Sequence, residues 1–278
     1  MDLARLRWMA RRSLELDART LATTALPARM RLRLVAEKYS VLALGSGRGG
    51  GGRRMLPGGA LTSEQVGTFQ SVAADLFDLV VRPRVLAADD PVIVDVGANV
   101  GQFCWACRMF YPGARILSIE ADPATFAALA RNTEGLPGVE RRNIGVAARD
   151  GVLPFTRSAS PLESSFGGDV PDPTGSVDLP VASLDHVCEN LGHIDLLKVD
   201  VEGFENEVIA GAPAVLARTD WLIIEIGLDN ERGEGNIALL ETIRAAVPGA
   251  KVVGTGRPLG RRGSLADCQD LLIKLGRN

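Results

Sequence analysis

The sequence predicts an α/β fold in which a doubly wound, mostly parallel sheet carries helices on both faces. From residue 91 onwards, apolar runs of strand length alternate with stretches of helical spacing, a pattern typical of parallel sheets with helical crossovers. Apolar residues make up 46% and charged residues 23% of the 278 residues, so disordered and fibrous classes are excluded. No stretch reaches the roughly 18 consecutive apolar residues of a membrane span.

The first 60 residues are predicted as a segment separate from the α/β domain at 61–278. Residues 1–44 have apolar side chains at loosely helical spacing, and residues 45–59 are rich in Gly and Arg, which predicts a helical extension followed by a loop. Residues 1–60 carry a net charge of +8 and the rest of the chain −11. We interpret the basic segment as a solvated helix face, with a peripheral membrane contact or a partner surface as the alternative. A homodimer contact and a lid both stay open for this segment.

The remaining elements follow in order along the chain. A helix is predicted over 62–81, with Thr62 or Ser63 as its cap. Strands are predicted at 91–97, 115–120, 139–146, 194–200, 221–227, 251–255 and 270–275, and helices at 101–111, 123–133, 183–191, 203–217 and 235–246. The turn-rich segment 150–182 interrupts the alternation and contains two short strand-like pieces, at 152–155 and 177–181.

The loop after the first strand predicts a nucleoside site. Asp95 ends an apolar strand, Gly97, Asn99 and Gly101 follow, and Glu120 ends the next strand. Glycine permits a tight turn and close approach to a ligand, and a strand-end carboxylate can accept hydrogen bonds from a ribose diol. The chain has neither G-x-G-x-x-G at this loop nor any G-K-[ST], so dinucleotide and Walker-type sites are not predicted. An adenosyl ligand without a pyrophosphate, S-adenosylmethionine, fits this combination.

A second group of polar residues breaks the buried strand at 194–200. Lys198 and Asp200 point to the same side by the two-residue period of a strand, and Glu202 follows in the turn. Glu225 interrupts the neighbouring apolar strand in the same way. A buried lysine needs a partner, so we expect Lys198 to contact Asp200, Glu202 or a ligand carboxylate. A functional site and a purely structural ion pair are both open here.

Cysteine and histidine residues are predicted to have no catalytic role. Cys104 and Cys107 have the C-x-x-C spacing of redox and zinc sites, but they lie in an apolar helical stretch and lack a second ligand pair, so we interpret them as core residues. His186 and His193 are interpreted as solvated, with a general base as the alternative. Four cysteines in a chain of this length and no signal peptide predict a cytoplasmic protein.

These motifs resemble those of the FkbM family of S-adenosylmethionine-dependent methyltransferases. The residues that carry the resemblance are the loop at 94–101, Glu120-Ala-Asp-Pro, Ser-Leu-Asp at 183–185, the run at 195–205 and Ile-Ile-Glu-Ile at 223–226. The resemblance covers about 91–230. It implies a Rossmann-like, class I methyltransferase sheet of about seven strands, with the last strand antiparallel. It also implies O-methylation of a hydroxyl on a sugar, a glycolipid or a polyketide-type secondary metabolite.

The resemblance also implies roles for individual residues. Asp95, Gly97, Ala98, Asn99 and Gly101 would surround the methionine part of the cofactor. Glu120 and Ala121 would hold the ribose, and Asn143, Ile144 and Ala147 would border the adenine. Ser164 and Ser165 would line the acceptor cleft together with Glu225. Asp200, Glu202 and Lys198 would lie at the methyl-transfer edge, with Asp200 also beside the cofactor.

The expected reaction leaves two versions of its chemistry open. In one, Asp200 or Glu202 is the general base that removes the hydroxyl proton. In the other, Asp200 and Glu225 hold a divalent metal such as Mg²⁺ that acidifies the hydroxyl. The alternative functions are a scaffold protein that keeps the cofactor fold without turnover, and a methyltransferase acting on a macromolecule. Nucleic acid is not expected as a partner, because the α/β domain is acidic.

Overall fold

The structure, a computed structural model, describes most of the α/β domain and little of the N-terminal segment. It describes residues 76–81, 83–158, 164–167, 170, 173–227, 230–256 and 268–276, with short stretches at 53–56, 59–61 and 72–73 and isolated positions before residue 37. The strands are β1 (Arg53–Leu56), β2 (Gly59–Leu61), β3 (Val92–Val96), β4 (Arg115–Glu120), β5 (Val139–Asn143), β6 (Gly145–Ala147), β7 (Gly151–Ser158), β8 (Pro173–Ser183), β9 (Ile194–Val199), β10 (Thr219–Gly227), β11 (Lys251–Thr255) and β12 (Cys268–Lys274). The helices are α1 (Gln102–Phe110), α2 (Pro123–Asn132), α3 (Leu184–Val187), α4 (Glu205–Ala210), α5 (Pro213–Ala217) and α6 (Asn230–Ala246), and a π-helical turn spans Phe77–Val81.

The main sheet has seven strands in the order β11-β12-β10-β9-β3-β4-β5. Neighbouring strands from β10 to β5 are parallel, whereas β12 is antiparallel to both β10 and β11. The predicted doubly wound sheet with an antiparallel last strand is therefore confirmed. From β3 the chain winds outward to β5 and then returns to β9 on the other side of β3. The strand order thus reverses between β3 and β9, which is where open parallel sheets bind ligands.

Helices cover both faces of this sheet, as the alternation of elements predicts. One core cluster packs β3, β9 and β10 against α4, α5 and α6, with Val94, Leu197 and Leu222 among its buried residues. The opposite cluster packs the same strands against α1 and the π-helical turn, with Ile93 and Leu196 buried there. Adjacent residues of one strand enter opposite clusters because side chains alternate across a strand.

Several predicted elements have different boundaries in the structure. The strand predicted at 139–146 is divided at Ile144, and β6 pairs with β8 in a separate three-stranded sheet. Gly145 lies in β6 directly against the Phe166 ring, which a Cβ at this position would overlap. The helix predicted at 203–217 is two helices, since Pro213 cannot continue α4.

The remaining differences in element boundaries are smaller. The helix predicted at 183–191 ends at Val187, before the turn at 188–190. Arg53–Leu56, predicted as part of a loop, pairs with Gly59–Leu61 in a hairpin. The segment 150–182 contains the β7–β8 hairpin, so its two strand-like pieces are confirmed and longer than predicted.

Most of the N-terminal extension lies outside the described residues. The described positions before residue 37 are helical, and nothing further tests the proposed membrane, partner or dimer contact of 1–60. Within the described part of the chain, no helix combines the length and the apolar character that crossing a membrane requires.

Candidate active site

A cleft opens at the carboxyl edge of the sheet, where the strand order reverses. Its volume is about 270 Å³, close to the lower end of the range for small-molecule sites. Its walls come from the ends of β3, β4, β9, β10 and β12 and from the segment that follows β7. The polar residues that line it are Asn99, Gln102, Glu120, Asp122, Thr125, Ser164, Lys198, Asp200, Glu202, Glu225 and Asp270.

The glycine loop after β3 forms the floor of this cleft. Gly97 has φ +78°, and a Cβ there would overlap the carbonyl oxygen of Asp200. The loop is tied to β4, because the N–H groups of Gly97 and Ala98 both donate to the Ile119 carbonyl, at 3.1 and 2.9 Å. Asn99 has φ +49°, the left-handed conformation that asparagine tolerates. The sequence folds into a tight turn here because glycine and asparagine occupy its positive-φ positions.

Glu120 lies at the end of β4 with its carboxylate in the cleft. It accepts hydrogen bonds from the N–H groups of Asn99 and Asp122, each at 2.9 Å. Burial raises its pKa to about 7, although the two backbone donors oppose this shift. Each carboxylate oxygen retains a further lone pair, so Glu120 can accept additional hydrogen bonds from a ligand diol.

A buried ion pair lies directly beneath the cleft. Asp95 and Lys198 are register partners on β3 and β9, and Lys198 Nζ lies 3.4 Å from Asp95 Oδ1 and 3.1 Å from Asp200 Oδ2. Asp95 is fully buried. Burial alone would lower the pKa of Lys198, but the charges of Asp200 and Asp95 raise it above its usual value. The two neighbouring carboxylates therefore favour the protonated, cationic form of Lys198.

Three carboxylates converge at the mouth of the cleft. Ligand atoms of Asp200, Glu202 and Glu225 all lie within 4.8 Å of one another. Glu202 has φ +57°, a conformation unfavourable for a residue with a Cβ and often found at functional sites. Shielding from water by the surrounding chain, together with the charges of Asp200 and Glu225, raises the pKa of Glu202. This donor set is one that a hard divalent cation accepts.

The segment after β7 forms one wall and is fixed to the loop that follows β9. Ser165 pairs with Thr156, and its hydroxyl donates to the Val201 carbonyl at 3.3 Å. Phe166 packs between Phe155 and Phe204, with ring centroids 4.9 and 5.7 Å away. The wall is therefore aromatic, and its position depends on the same loop that carries Asp200 and Glu202.

The structure brings most of the predicted site residues together. Those that line the cleft are Gly97, Ala98, Asn99, Glu120, Ala121, Ile144, Ser164, Lys198, Asp200, Glu202 and Glu225. The other predicted residues, Asp95, Gly101, Asn143, Ala147 and Ser165, are not among the lining residues. Asp95 lies under the floor, and Asn143 donates to the carbonyls of Glu120 and Ala121 at 2.8 and 2.9 Å.

The cysteine and histidine interpretations agree with their surroundings. Cys104 and Cys107 are free and buried. His186 is exposed and pairs with Asp150 at 2.6 Å, and His193 is exposed and pairs with Asp220 at 3.0 Å. None of these four residues is among those that line the cleft.

Several lining residues were missed by the sequence analysis. Asp122 caps α2 by accepting from the Thr125 N–H at 3.0 Å, and it pairs with Arg157 at 2.6 Å. Asp270 lies opposite Glu225 on β12. A charged residue in an otherwise apolar strand was a signal for Asp270. Gln102 had a weaker signal, a single amide at the start of an apolar helix.

The strand order, the glycine loop and the strand-end acid together define a class I methyltransferase fold. The chain belongs to the FkbM methyltransferase family, because the sequence model of the family described as "Methyltransferase FkbM domain" matches residues 95–247, more than half of the chain.

Three relatives show how far this similarity extends. Methyltransferase sdnD of Sordaria araneosa is 32% identical over 161 residues, which cover 44% of this chain and 60% of that protein. The 2-O-methyltransferase NoeI of Sinorhizobium fredii is 28% identical over 172 residues, 56% of this chain and 70% of that protein. The 31-O-demethyl-FK506 methyltransferase FkbM of Streptomyces tacrolimicus is 26% identical over 201 residues, 60% of this chain and 76% of that protein.

Proposed function

We propose that the protein is an S-adenosylmethionine-dependent O-methyltransferase acting on a hydroxyl of a sugar, a glycolipid or a polyketide-type metabolite. The observation that carries this proposal is a single cleft that joins the glycine loop, Glu120 and the three carboxylates at its mouth. Two relatives, NoeI and FkbM, have O-methylation in their names. The chain spans only 60% of the length of sdnD, so the activity of the whole protein is part of the proposal.

The residues present fit the cofactor. Glu120 offers acceptor oxygens for a ribose diol, and Ile144 and Val146 offer apolar surface beside it. The side-chain nitrogen of Gln102 is buried at the cleft without a hydrogen-bond partner, so it is available to donate to a bound cofactor. Bound there, S-adenosylmethionine would supply an electrophilic methyl group and its own leaving group.

The chain itself would align the acceptor and remove its proton. Asp200 is one third exposed at the cleft, next to the Lys198 ammonium, and a positioned carboxylate can act as general base. Glu202 has a raised pKa, so the protonated form is favoured and can donate a hydrogen bond to an acceptor oxygen. The aromatic wall at Phe166 and Phe204 would exclude water from one side.

A second version places a divalent cation at the mouth of the cleft. Asp200, Glu202 and Glu225 have ligand atoms close enough to share an ion, and a cation there would reduce the repulsion between their negative charges. In this version the same residues hold the ion, which would acidify the acceptor hydroxyl. Asp200 is essential in both versions.

Asp200→Asn tests both versions at once. We expect kcat to fall by about 10²–10⁴-fold, because the base and one metal ligand are lost together, while S-adenosylhomocysteine still binds. The measurement is methyl transfer to a panel of neutral sugar and polyketide hydroxyls, with the binding constant from calorimetry. Asp178→Asn is the matched control, since Asp178 lies exposed on β8 and away from the cleft.

The remaining outcomes separate the alternatives. Full turnover by Asp200→Asn would contradict both versions. Loss of wild-type activity on chelation, with recovery in magnesium, would support the metal version. Tight cofactor binding without transfer to any hydroxyl in the panel would favour the scaffold function or a macromolecular acceptor.

A further inference from the structure

Gln102 carries a buried hydrogen-bond donor, its side-chain amide, at the cleft. It is only 4% exposed, it lines the cleft, and its Nε2 atom has no hydrogen-bond partner. A buried amide N–H without a partner destabilises the folded protein, because it has given up its hydrogen bond to water. Such a group is most simply explained by a ligand that accepts its hydrogen bond.

Two other donors among the described lining residues, Lys198 and Thr125, are engaged within the protein. Lys198 is the one cationic side chain in that set, and two carboxylates already neutralise it. The Thr125 hydroxyl donates to Asp122 at 3.1 Å. An anionic ligand group therefore depends on neutral donors, and the Gln102 amide nitrogen is a buried donor at the cleft without a partner in the described part of the chain.

The surroundings of Gln102 favour a negative ligand group. Gln102 is the first residue of α1, whose N-cap Gly101 provides no side-chain cap and whose first turn contains no acidic residue. The positive end of the helix dipole therefore lies at Gln102 without an acidic residue in the first turn of α1 to compensate it. A ligand carboxylate would be repelled at the position where Asp200, Glu202 and Glu225 converge.

We propose that Gln102 Nε2 donates a hydrogen bond to the carboxylate of the methionine part of the cofactor. S-adenosylmethionine carries one carboxylate, at the end of its amino-acid chain, and the glycine loop that precedes Gln102 forms the cleft floor. The amino-acid end is a zwitterion, so its ammonium is complementary to the acidic mouth while its carboxylate pairs with Gln102. This assignment rests on the proposed function.

Two ligands that differ only in the amino-acid end provide the test. S-adenosylhomocysteine has the carboxylate, whereas 5′-methylthioadenosine has the same nucleoside and sulfur without it. For Gln102→Leu in the full chain, we expect calorimetry to show binding of S-adenosylhomocysteine weakened about tenfold, as for a lost hydrogen bond to a charged group. Binding of 5′-methylthioadenosine should change by less than about twofold, which also shows that the nucleoside site is intact.

Gln269→Leu is the matched control. It makes the same chemical change at a glutamine whose amide donates to the Gly256 carbonyl at 2.8 Å and which does not line the cleft. It should leave the affinity of both ligands unchanged. Gln102→Glu adds a second test, because a carboxylate at this position would repel that of the ligand and weaken S-adenosylhomocysteine more than Gln102→Leu does.

The possible failures are distinguishable. If Gln102→Leu changes neither ligand's affinity, or weakens both equally, the assignment to the carboxylate is overturned while the proposed function stands. If the folded wild-type protein binds neither ligand, the proposed function fails and the inference fails with it.

Discussion

The Glu120 carboxylate has a structural task in addition to its proposed role in ligand binding. It accepts two backbone hydrogen bonds, from Asn99 and Asp122, and so joins the glycine loop to the end of β4. Burial nevertheless raises its pKa to about 7, with smaller contributions from the negative charges of Asp122 and Asp95. A ligand diol would require the ionised form, because a carboxylate accepts hydrogen bonds with both oxygens.

Nucleoside binding should therefore depend on pH around neutrality. Below a pKa of about 7, Glu120 is protonated in the free protein, and binding must first release that proton. We expect the dissociation constant of 5′-methylthioadenosine to rise about tenfold from pH 8 to pH 6, measured by calorimetry. Glu120→Gln should bind weakly with a flat pH profile. An equally steep profile in that variant would assign the titration to another group.

At the scale of elements, the contact between β3 and β9 holds the site together. The Gly97 turn packs directly on the Asp200 backbone, and the Asp200 N–H donates to the Val96 carbonyl at 3.2 Å. Asp95 and Lys198 form their ion pair at the register position directly before that of Val96 and Val199. The loop proposed to bind the cofactor and the residues proposed to perform catalysis are thus positioned by the same pair of strands.

Gly97→Ala and Gly135→Ala separate backbone strain from steric overlap. Both glycines have similar positive φ, +78° and +74°, but a Cβ at Gly135 meets nothing within 4 Å. The left-handed conformation should lower the unfolding free energy of Gly135→Ala by about 1–2 kcal/mol. Gly97→Ala adds an overlap with Asp200, so we expect a loss of about 3 kcal/mol or more.

Urea unfolding of both variants measures this difference. Gly97→Ala should also weaken S-adenosylhomocysteine binding, since the loop must move away from Asp200, whereas Gly135→Ala should not. Equal unfolding free energies for the two variants would show that the Gly97 turn shifts without cost.

At the scale of the whole molecule, the sheet and its two helical layers together form the cleft where the strand order reverses between β3 and β9. Residues that line it come from positions as distant as Leu76 and Asp270. A ligand that bridges these positions binds the folded chain and not the unfolded one, so binding and global stability are linked.

Thermal unfolding should report this link. S-adenosylhomocysteine at 100 times its dissociation constant stabilises a folded protein by about 2.7 kcal/mol, which for a domain of this size raises Tm by about 5–10 °C. NADH at the same concentration should produce no shift, because the chain lacks a dinucleotide loop. A shift with NADH and none with S-adenosylhomocysteine would contradict the proposed cofactor.

The sequence was sufficient for the class of fold and for much of the cleft. Apolar runs locate the strands of the main sheet to within a few residues, because burial on both faces requires an apolar strand. Asp200, Glu202 and Glu225 could be predicted to converge because they lie at or beyond the carboxyl ends of neighbouring parallel strands, where polar residues interrupt the apolar pattern. The local backbone conformation at Gly97 and Asn99 could also be predicted from the sequence, because these residue types favour positive φ.

The tertiary structure alone decided which polar residues face the cleft and which lie beneath it. Asp95 was expected beside the cofactor, but the register between β3 and β9 places it under the floor against Lys198, and register between distant strands cannot be read from one sequence. Asp270 reaches the mouth because β12 runs antiparallel between β10 and β11, which brings the start of that strand to the carboxyl edge. The direction of the Gln102 side chain likewise depends on how α1 packs. Composition and periodicity specify elements, whereas the positions of side chains across elements follow from register and packing.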